Sequence, residues 1–257
     1  MIIEFHKYQA TGNDFIIIDD RDNNFDIHDS ILIQSLCERK MGIGADGLIV
    51  LRNHNEYDFR MIYFNSDGFE STLCGNGARC IVSFANLLDI SSNKIMFMAI
   101  DGMHEASIDD DEVSIKFKDI KKIDYDNKYI IIDSGSPHLV NIVENVDNIN
   151  IDLEGASIRN MPKYKSKGIN VNFIEHDNHI KIRTYERGVE SETLSCGTGA
   201  VASAIALYHS GLIEENIISL ISRGGELSVM FEEFNGIYRN IWLTGLVNLV
   251  YIGEFEC

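Results

Sequence analysis

The chain is short of positive charge. Its 257 residues hold 22 Lys and Arg against 40 Asp and Glu, a formal net charge of −18. Nucleic-acid binding needs clustered cations to meet the phosphate backbone, so that class of partner is not expected. Adsorption to an anionic membrane needs the same cations. A small anionic ligand stays open, because backbone dipoles can hold one inside an acidic protein. No apolar run approaches the length of a membrane span. The opening stretch Met1-Ile-Ile-Glu-Phe-His-Lys7 carries charge and has no apolar signal core. The five Cys, at 37, 74, 80, 196 and 257, are odd in number and irregular in spacing. A disulfide framework is not expected, and a reducing cytoplasm fits better. There is no Cys-x-x-Cys pair, and the eight His form no ligand-spaced cluster, which argues against a zinc site or any other metal centre. No Gly-x-Gly-x-x-Gly follows a strand, so a dinucleotide site has no support.

What the chain does have is one sentence written twice. Arg60 to Ala78 runs through an alternating strand and a polar loop into Cys74-Gly-Asn-Gly-Ala78; Arg183 to Ala200 does the same into Cys196-Gly-Thr-Gly-Ala200. With the two Cys superposed, Tyr63 falls on Tyr185 and Glu70 on Glu192. Gly135-Ser136-Pro137-His138 takes the place of Gly12-Asn13-Asp14-Phe15, and Gly168-Ile169-Asn170-Val171 that of Gly42-Ile43-Gly44-Ala45. From Gly12 to Cys74 is 62 residues, and from Gly135 to Cys196 is 61. Near-equal spacing of three landmarks indicates internal duplication, with two similar domains rather than a solenoid.

The pattern predicts strands at 2–8, 14–19, 48–51 and 58–64, and a helix from Asp29 or Ser30 to about Lys40, stopped by Gly42 and Gly44. Ala78, Ile81, Val82, Ala85 and Leu88 keep a helical period, so a helix covers about 76–88. Strands near 94–100, 104–109 and 113–118 complete the first half, with Asp109 to Glu112 as a solvated hairpin tip. The charged stretch Lys118 to Lys128 is read as the junction of the halves. The helix after Cys196 is small and apolar on every face and should be buried, with Gly211 ending it. Strands near 217–222, 226–232, 237–244 and 247–253 follow. Short turns join most strands, which favours mixed or antiparallel sheets round a central helix over a doubly wound parallel sheet. The expected fold class is therefore α/β of the α+β kind. It has two similar domains related by a pseudo-twofold axis, 1–118 and 119–246, with the strand at 247–257 available to rejoin the first.

A Cys at a helix start has free N–H groups and the positive dipole end beside it. Such placement lowers a thiol pKa from its ordinary value of about 8.5. The flanking glycines admit a ligand close to the backbone. A carboxylate held by the amides of Gly75, Asn76, Gly197 and Thr198 would bring its α-carbon between two sulfurs. One thiolate then removes the α-proton and the opposite thiol returns one, which inverts the centre. Cys37 and Cys80 sit within helices and read as core, and Cys257 takes no role. His138 after Pro137 is either a structural hydrogen-bonding group or a catalytic one. Asn13 either supports its turn or meets a ligand. Glu186 and Arg187 are either a surface pair or, lying ten and nine residues before Cys196, part of its site.

Taken together, Ala10-Thr-Gly-Asn-Asp-Phe15, Gly42-Ile-Gly-Ala-Asp46, Phe64-Asn-Ser-Asp-Gly68, Leu73-Cys-Gly-Asn-Gly-Ala-Arg-Cys80, Arg183-Thr-Tyr-Glu-Arg-Gly188 and Ser195-Cys-Gly-Thr-Gly-Ala200 resemble the diaminopimelate epimerase family over essentially the whole chain. The resemblance implies interconversion of LL- and meso-diaminopimelate without pyridoxal phosphate or any other cofactor, in lysine and peptidoglycan synthesis. It implies Cys74 and Cys196 as acid and base, with His138 and Glu186 supporting catalysis. Asn13, Asn65 and Asn170 would line the pocket, Gly75, Asn76, Gly197 and Thr198 would cradle the carboxylate, Glu186 would hold an ammonium, and Arg187 would fork onto the distal carboxylate. It also implies a cytoplasmic homodimer. Two positions depart from the family: Ser136 stands where many members have Asn, and Gly47 where some have Gln. Both bear on the distal end of the substrate. Another racemase of the same scaffold, such as a histidine racemase, is the rival reading.

Overall fold

The computed structural model describes residues 2–90 and 94–256, so Cys257 lies outside them. The chain forms two compact units, 1–115 with 245–257, and 116–244. In chain order the first unit holds β1 (Ile2–Ala10), β2 (Asn13–Asp19), α1 (Ser30–Cys37), β3 (Gly47–Arg52), β4 (Phe59–Asn65), α2 (Gly75–Leu87), β5 (Lys94–Ala99), β6 (Gly102–Asp109) and β7 (Glu112–Phe117). The second holds β8 (Ile123–Asp126), β9 (Tyr129–Asp133), β10 (Pro137–Val143), α3 (Ile151–Arg159), β11 (Asn170–His176), β12 (Ile180–Glu186), β13 (Ser191–Thr193), α4 (Gly197–His209), β14 (Ile217–Ser222), β15 (Gly225–Phe234) and β16 (Ile237–Leu246). The last strand, β17 (Asn248–Glu256), pairs antiparallel with β1.

The duplication is plain in the strand pairings. In the first unit β1–β2 and β3–β4 are antiparallel, and β2–β3 and β4–β5 parallel. In the second, β9–β10 and β11–β12 are antiparallel, and β10–β11 and β12–β14 parallel. β17 stands to β1 as β8 stands to β9. Both units are mixed, mostly antiparallel sheets enclosing a helix, the α+β class that the short turns imply.

The registers correct one equivalence. β2 pairs with β3 as Phe15↔Gly47, and β10 with β11 as His138↔Asn170, an identical separation of 32 residues. Asn170 therefore answers to Gly47, not to Gly44. By the same count Gly168 answers to Ala45, one residue past Gly44; Gly168 and Gly44 both take positive φ, +72° and +83°, in the loops before β11 and β3. Glycine spacing alone misaligned the loop because Gly42 also resembles a landmark. Its closeness to Ser35 and Leu36 carbonyls is what excludes a side chain there.

Burial follows from strands covered on both faces. In β2 and β3, Ile16, Ile18, Leu48 and Val50 pack with Ile33 and Leu36 of α1. Their neighbours Phe15 and Ile49 lie where a side chain on Gly77 of α2 would touch them. That is why both strands read as continuous apolar runs. The second unit repeats this: Leu139, Val171, Phe173 and Tyr185 pack with α3, while Val140, Ile174 and Ile182 join the cluster round α4. In α4, every residue from Gly199 to Leu207 is buried, as its small apolar composition requires.

Helix starts are capped by side chains where no function competes. Asp29 accepts from the Leu32 N–H at 2.9 Å, and Asn150 from the Leu153 N–H at 3.1 Å. α1 ends at Cys37, short of Lys40, because Glu38 turns to extended backbone. α3 buries only Ile151, Gly155 and Ile158, too thin a stripe to stand out as a period. The charged stretch 118–128 is not a linker: Ile120 is buried and exchanges backbone hydrogen bonds with Tyr238, and Ile123–Asp126 is strand β8. The chain leaves the first unit earlier, within β7.

Gly155 lets α3 lie against Tyr185; a Cβ there would stand 2.4 Å from Tyr185 Cβ and 2.5 Å from its Cγ, both close to the backbone. Gly155→Ala should therefore destabilise the protein by about 1–3 kcal/mol through overpacking. Urea unfolding measures it, and an unchanged midpoint would show that α3 has room to move off Tyr185.

Candidate functional site

Each unit delivers one cysteine to the first position of its enclosed helix. In the first, a Phe64↔Glu70 bridge closes the turn after β4, and Cys74 then takes extended backbone (φ −93°, ψ 122°) as the cap of α2. In the second, β12 and β13 pair Tyr185 with Glu192, and Cys196 caps α4 (φ −131°, ψ 111°). In both, the cysteine carbonyl accepts the first helical bond, from Ala78 at 2.8 Å and Ala200 at 2.9 Å. Neither side chain bonds the helix N–H groups, unlike Asp29 and Asn150. Those donors are left for something else.

The thiols divide into two kinds. Cys37 and Cys80 are buried; burial pushes Cys37 up to about 12 and pushes Cys80 well above the ordinary thiol value. Both are inert packing groups. Cys74 and Cys196 are half-exposed thiols.

Around Cys74 the polar groups form a chain. The sulfur lies 3.5 Å from Asn13 Oδ1, which also accepts from Asn76 Nδ2 at 3.2 Å. Asn13 Nδ2 donates to Asp46 Oδ2 at 2.6 Å. Arg39 spans Asp46 and Asp14, at 2.7 and 2.6 Å, and Lys7 pairs with Asp14 at 2.7 Å while also donating to the Gly44 carbonyl. Burial alone would raise the Asp14 carboxyl; hydrogen bonds from Arg39 and Lys7 outweigh it and hold it far below the usual carboxylate range. Asn65 ends β4 opposite Gly47. At Gly47 a Cβ would meet the Phe64 carbonyl at 2.6 Å and the Tyr63 ring at 2.7 Å, so the ring takes the space a side chain would need.

Around Cys196 the arrangement differs. Its sulfur lies 3.4 Å from Thr198 Oγ1, and His138 Nε2 is 2.8 Å from the same oxygen. His138 is wholly buried, and burial pushes its imidazole down to about 3, so it is neutral. Its tautomer follows from its neighbours. Thr184 Oγ1 donates to Asn172 Oδ1, and Asn172 Nδ2 donates to the Leu139 carbonyl and to His138 Nδ1. The ring proton is then on Nε2 and points at Thr198 Oγ1, which leaves the hydroxyl proton to face the sulfur. His138 meets Cys196 through Thr198.

Asn170 and Arg187 are in direct contact. Asn170 Oδ1 accepts from the Arg187 backbone N–H at 2.8 Å, and Asn170 Nδ2 donates to Ser136 Oγ at 2.9 Å. The exposed Arg187 guanidinium reaches Ser136 Oγ at 3.2 Å and the Lys167 carbonyl at 3.1 Å, its stem lying over Gly168. Ser136 thus joins both residues. Glu186 is the half-buried last residue of β12. Gly75 and Asn76 open α2, and Gly197 and Thr198 open α4. Among the described residues no cluster of His, Cys, Asp or Glu could hold a metal.

A sequence model of diaminopimelate epimerase matches residues 5–119 and 130–249. The chain belongs to the diaminopimelate epimerase family. It is 46% identical over 252 residues to the diaminopimelate epimerase of Flavobacterium psychrophilum, covering 97% of this chain and 98% of that one. It is 38% identical over 275 residues to that of Aquifex aeolicus, covering 99% and 98%. Among solved structures, a phenazine biosynthesis protein of the PhzF family from Bacillus anthracis aligns with a TM-score of 0.76 at 14% identity, each chain fully covered. A hydroxyproline epimerase from Agrobacterium vitis aligns at 0.69 and 12%, covering 98% and 92%. At such identities these two share the fold.

Against that family background, sequence reasoning passed over Arg79, Asp46, Thr184 and Asn172. Arg79 and Asn172 left a signal, each a polar residue between apolar chain neighbours within a helix or strand; Asp46, in a loop, and Thr184, beside Arg183, left none.

Because His138 titrates at about 3 when folded and near 6.5 when unfolded, only the unfolded chain takes up its proton between those values. Stability is therefore lost as pH falls from 6.5 towards 3, by about 1.4 kcal/mol per pH unit. Urea midpoints of wild type and His138→Asn across that range should diverge, with the variant flatter; parallel curves would show a charged His138 in the native state.

Proposed function

We propose that this chain interconverts LL- and meso-diaminopimelate, with Cys74 and Cys196 as the pair that moves the α-proton. The observation that carries the reading is the twin placement of two half-exposed thiols as helix caps in duplicated units, neither side chain bonding the helix N–H groups. One thiolate takes the α-proton; the other thiol gives a proton to the opposite face. The N–H groups at Gly75, Asn76, Gly197 and Thr198 meet the substrate carboxylate as it gains charge, so no cofactor is called for. His138 acts through Thr198 on Cys196, by directing a hydroxyl proton at its sulfur. Asn13 sits beside Cys74, and Asn65 ends β4, the strand that leads into the Cys74 loop. Arg187, steadied by Asn170, takes the distal carboxylate, and Glu186 the ammonium group. Free thiols in this role suit a reducing cytoplasm. We also place the chain in a homodimer: Leu249, Val250, Tyr251 and Ile252 of β17 are all exposed, on both faces of the strand.

A racemase acting on another amino acid is the second reading. It is favoured by Ser136, whose hydroxyl already engages the guanidinium meant for the distal carboxylate.

Incubation in deuterium oxide with diaminopimelate, histidine and proline separates these readings. Deuterium should enter the α-position of diaminopimelate alone; exchange into histidine without exchange into diaminopimelate would select the rival. Cys74→Ser and Cys196→Ser should each lower turnover by about 10²–10⁴-fold with the fold intact. Near-normal turnover in either would remove that thiol from the relay. Arg187→Ala should raise KM for the two-carboxylate substrate much more than for a monocarboxylate analogue, and equal losses would take Arg187 away from the distal end. Tyr251→Asp should shift the light-scattering mass from dimer to monomer; a monomeric wild type would refute the assembly.

A further inference from the structure

Arg79 lies on α2, five residues after Cys74, and is wholly buried. A guanidinium stays charged in any protein environment, and a buried charge is costly without a partner. Arg79 has no carboxylate against it among the described residues. Nη2 donates to Thr11 Oγ1 at 3.1 Å and to Asn76 Oδ1 at 3.0 Å, while Nε and Nη1 meet no hydrogen-bond partner. Burial lowers its pKa, and the ionisable groups that act back on it are the thiols of Cys80 and Cys74.

Of the remaining titratable groups on the elements packed against α2, Glu4 of β1 and Asp109 of β6 are exposed to solvent, Asp19 of β2 pairs with Arg21, and the others are neutral or matched. On β1, burial pushes the Tyr8 hydroxyl up to about 12 and lowers the His6 imidazole, and Lys7 pairs with Asp14 of β2. On β3, Arg52 pairs with Asp20; on β6, His104 pairs with Asp101, and Glu105 with Lys94. Of the two thiols, Cys80 is buried in the core and kept protonated by that burial. Cys74, half-exposed at the head of the same helix, is the group whose negative charge can answer the guanidinium.

The same side chain also settles which way the neighbouring amides face. Arg79 only donates, so Asn76 turns Oδ1 to it and Nδ2 to Asn13 Oδ1. At the far end Asp46 only accepts, so Asn13 turns Nδ2 to it. Both amides are clamped between a cation and an anion, and the atom left facing the Cys74 sulfur is a carbonyl oxygen. That oxygen accepts from a thiol and favours the protonated sulfur. A group that must take and give a proton in turn works best when neither form is strongly preferred.

We propose that Arg79 is a positioning residue for Cys74, whose buried guanidinium offsets the carbonyl of Asn13 and holds the thiol close to neutral pH. The assignment rests on the reading of Cys74 as a proton-transfer group, and its test does not depend on turnover. The pH dependence of Cys74 alkylation by iodoacetamide, followed on the Cys74 peptide by mass spectrometry, gives the thiol's own titration. In Arg79→Met the midpoint should rise by about one unit or more, with an alkylation rate at pH 7 about tenfold lower. The Cys196 peptide from the same samples should keep its midpoint. An unchanged Cys74 midpoint in folded Arg79→Met overturns the proposal, and so does an equal shift at Cys196, which would mark general loosening. If Arg79→Met does not fold, Arg79→Lys decides. Retention of the charge should keep the Cys74 midpoint within about half a unit of wild type, and a rise as large as one unit would overturn the electrostatic role. Failure of deuterium exchange with an Arg79-dependent Cys74 midpoint would defeat the epimerase reading alone.

Discussion

The structure depends on keeping the first turn of a buried helix open. An enclosed helix must have a dry body and a satisfied start, and most helices meet the second need with a side-chain cap. α1 and α3 do so with Asp29 and Asn150. α2 and α4 place cysteine there instead, and the cysteine side chains leave the N–H groups alone. Small residues then line the helix body so that the sheet can close round it: Gly77 and Ala78 in one unit, Gly199 and Ala200 in the other, all buried. At Gly199 the fit leaves no space for a side chain, since a Cβ would stand 2.5 Å from Asn172 Oδ1. The glycines after each cysteine therefore serve packing and ligand approach together.

The two units repeat a fold but not an electrostatic environment. Beside Cys74 stand an amide carbonyl and, behind it, a buried cation, with charges of both signs extending through Asp46, Arg39, Asp14 and Lys7. Beside Cys196 stands a hydroxyl whose own acceptor site is filled by a neutral imidazole, and behind that a run of uncharged amides and hydroxyls. Duplication supplied two equivalent sulfurs; divergence of the residues behind them gave each sulfur its own polar neighbour, an amide carbonyl for Cys74 and a hydroxyl for Cys196. In an acidic protein the buried cations among these, Lys7 and Arg79, matter more than the net charge, because they lie out of reach of solvent screening.

Most elements were legible as periods. The apolar runs at Phe15–Ile18 and Leu48–Leu51 became strands buried on both faces, and the helix expected over 76–88 spans Gly75–Leu87. α3 was not legible by itself, because a short helix packed through a glycine has little apolar stripe to show. The charged stretch 118–128 misled in the opposite way: its composition is that of a linker, but every residue of β8 pairs with β9 and Ile123 packs against the core of the unit. The loop equivalence of Gly168 was misread because it was anchored on a glycine pattern, whereas the parallel registers repeat the same 32-residue separation from Phe15 and from His138.

The sequence by itself determined the duplication, the cysteine-capped helices and the family, because these are local patterns and a helix start or an apolar strand is written in adjacent residues. Tertiary structure alone decided that His138 is neutral and speaks through Thr198, that Ser136 joins Asn170 to Arg187, and that a buried Arg79 has no carboxylate to answer it. Those properties arise from desolvation and from contacts between residues tens of positions apart, and no local pattern along the chain encodes how deeply a side chain is removed from water.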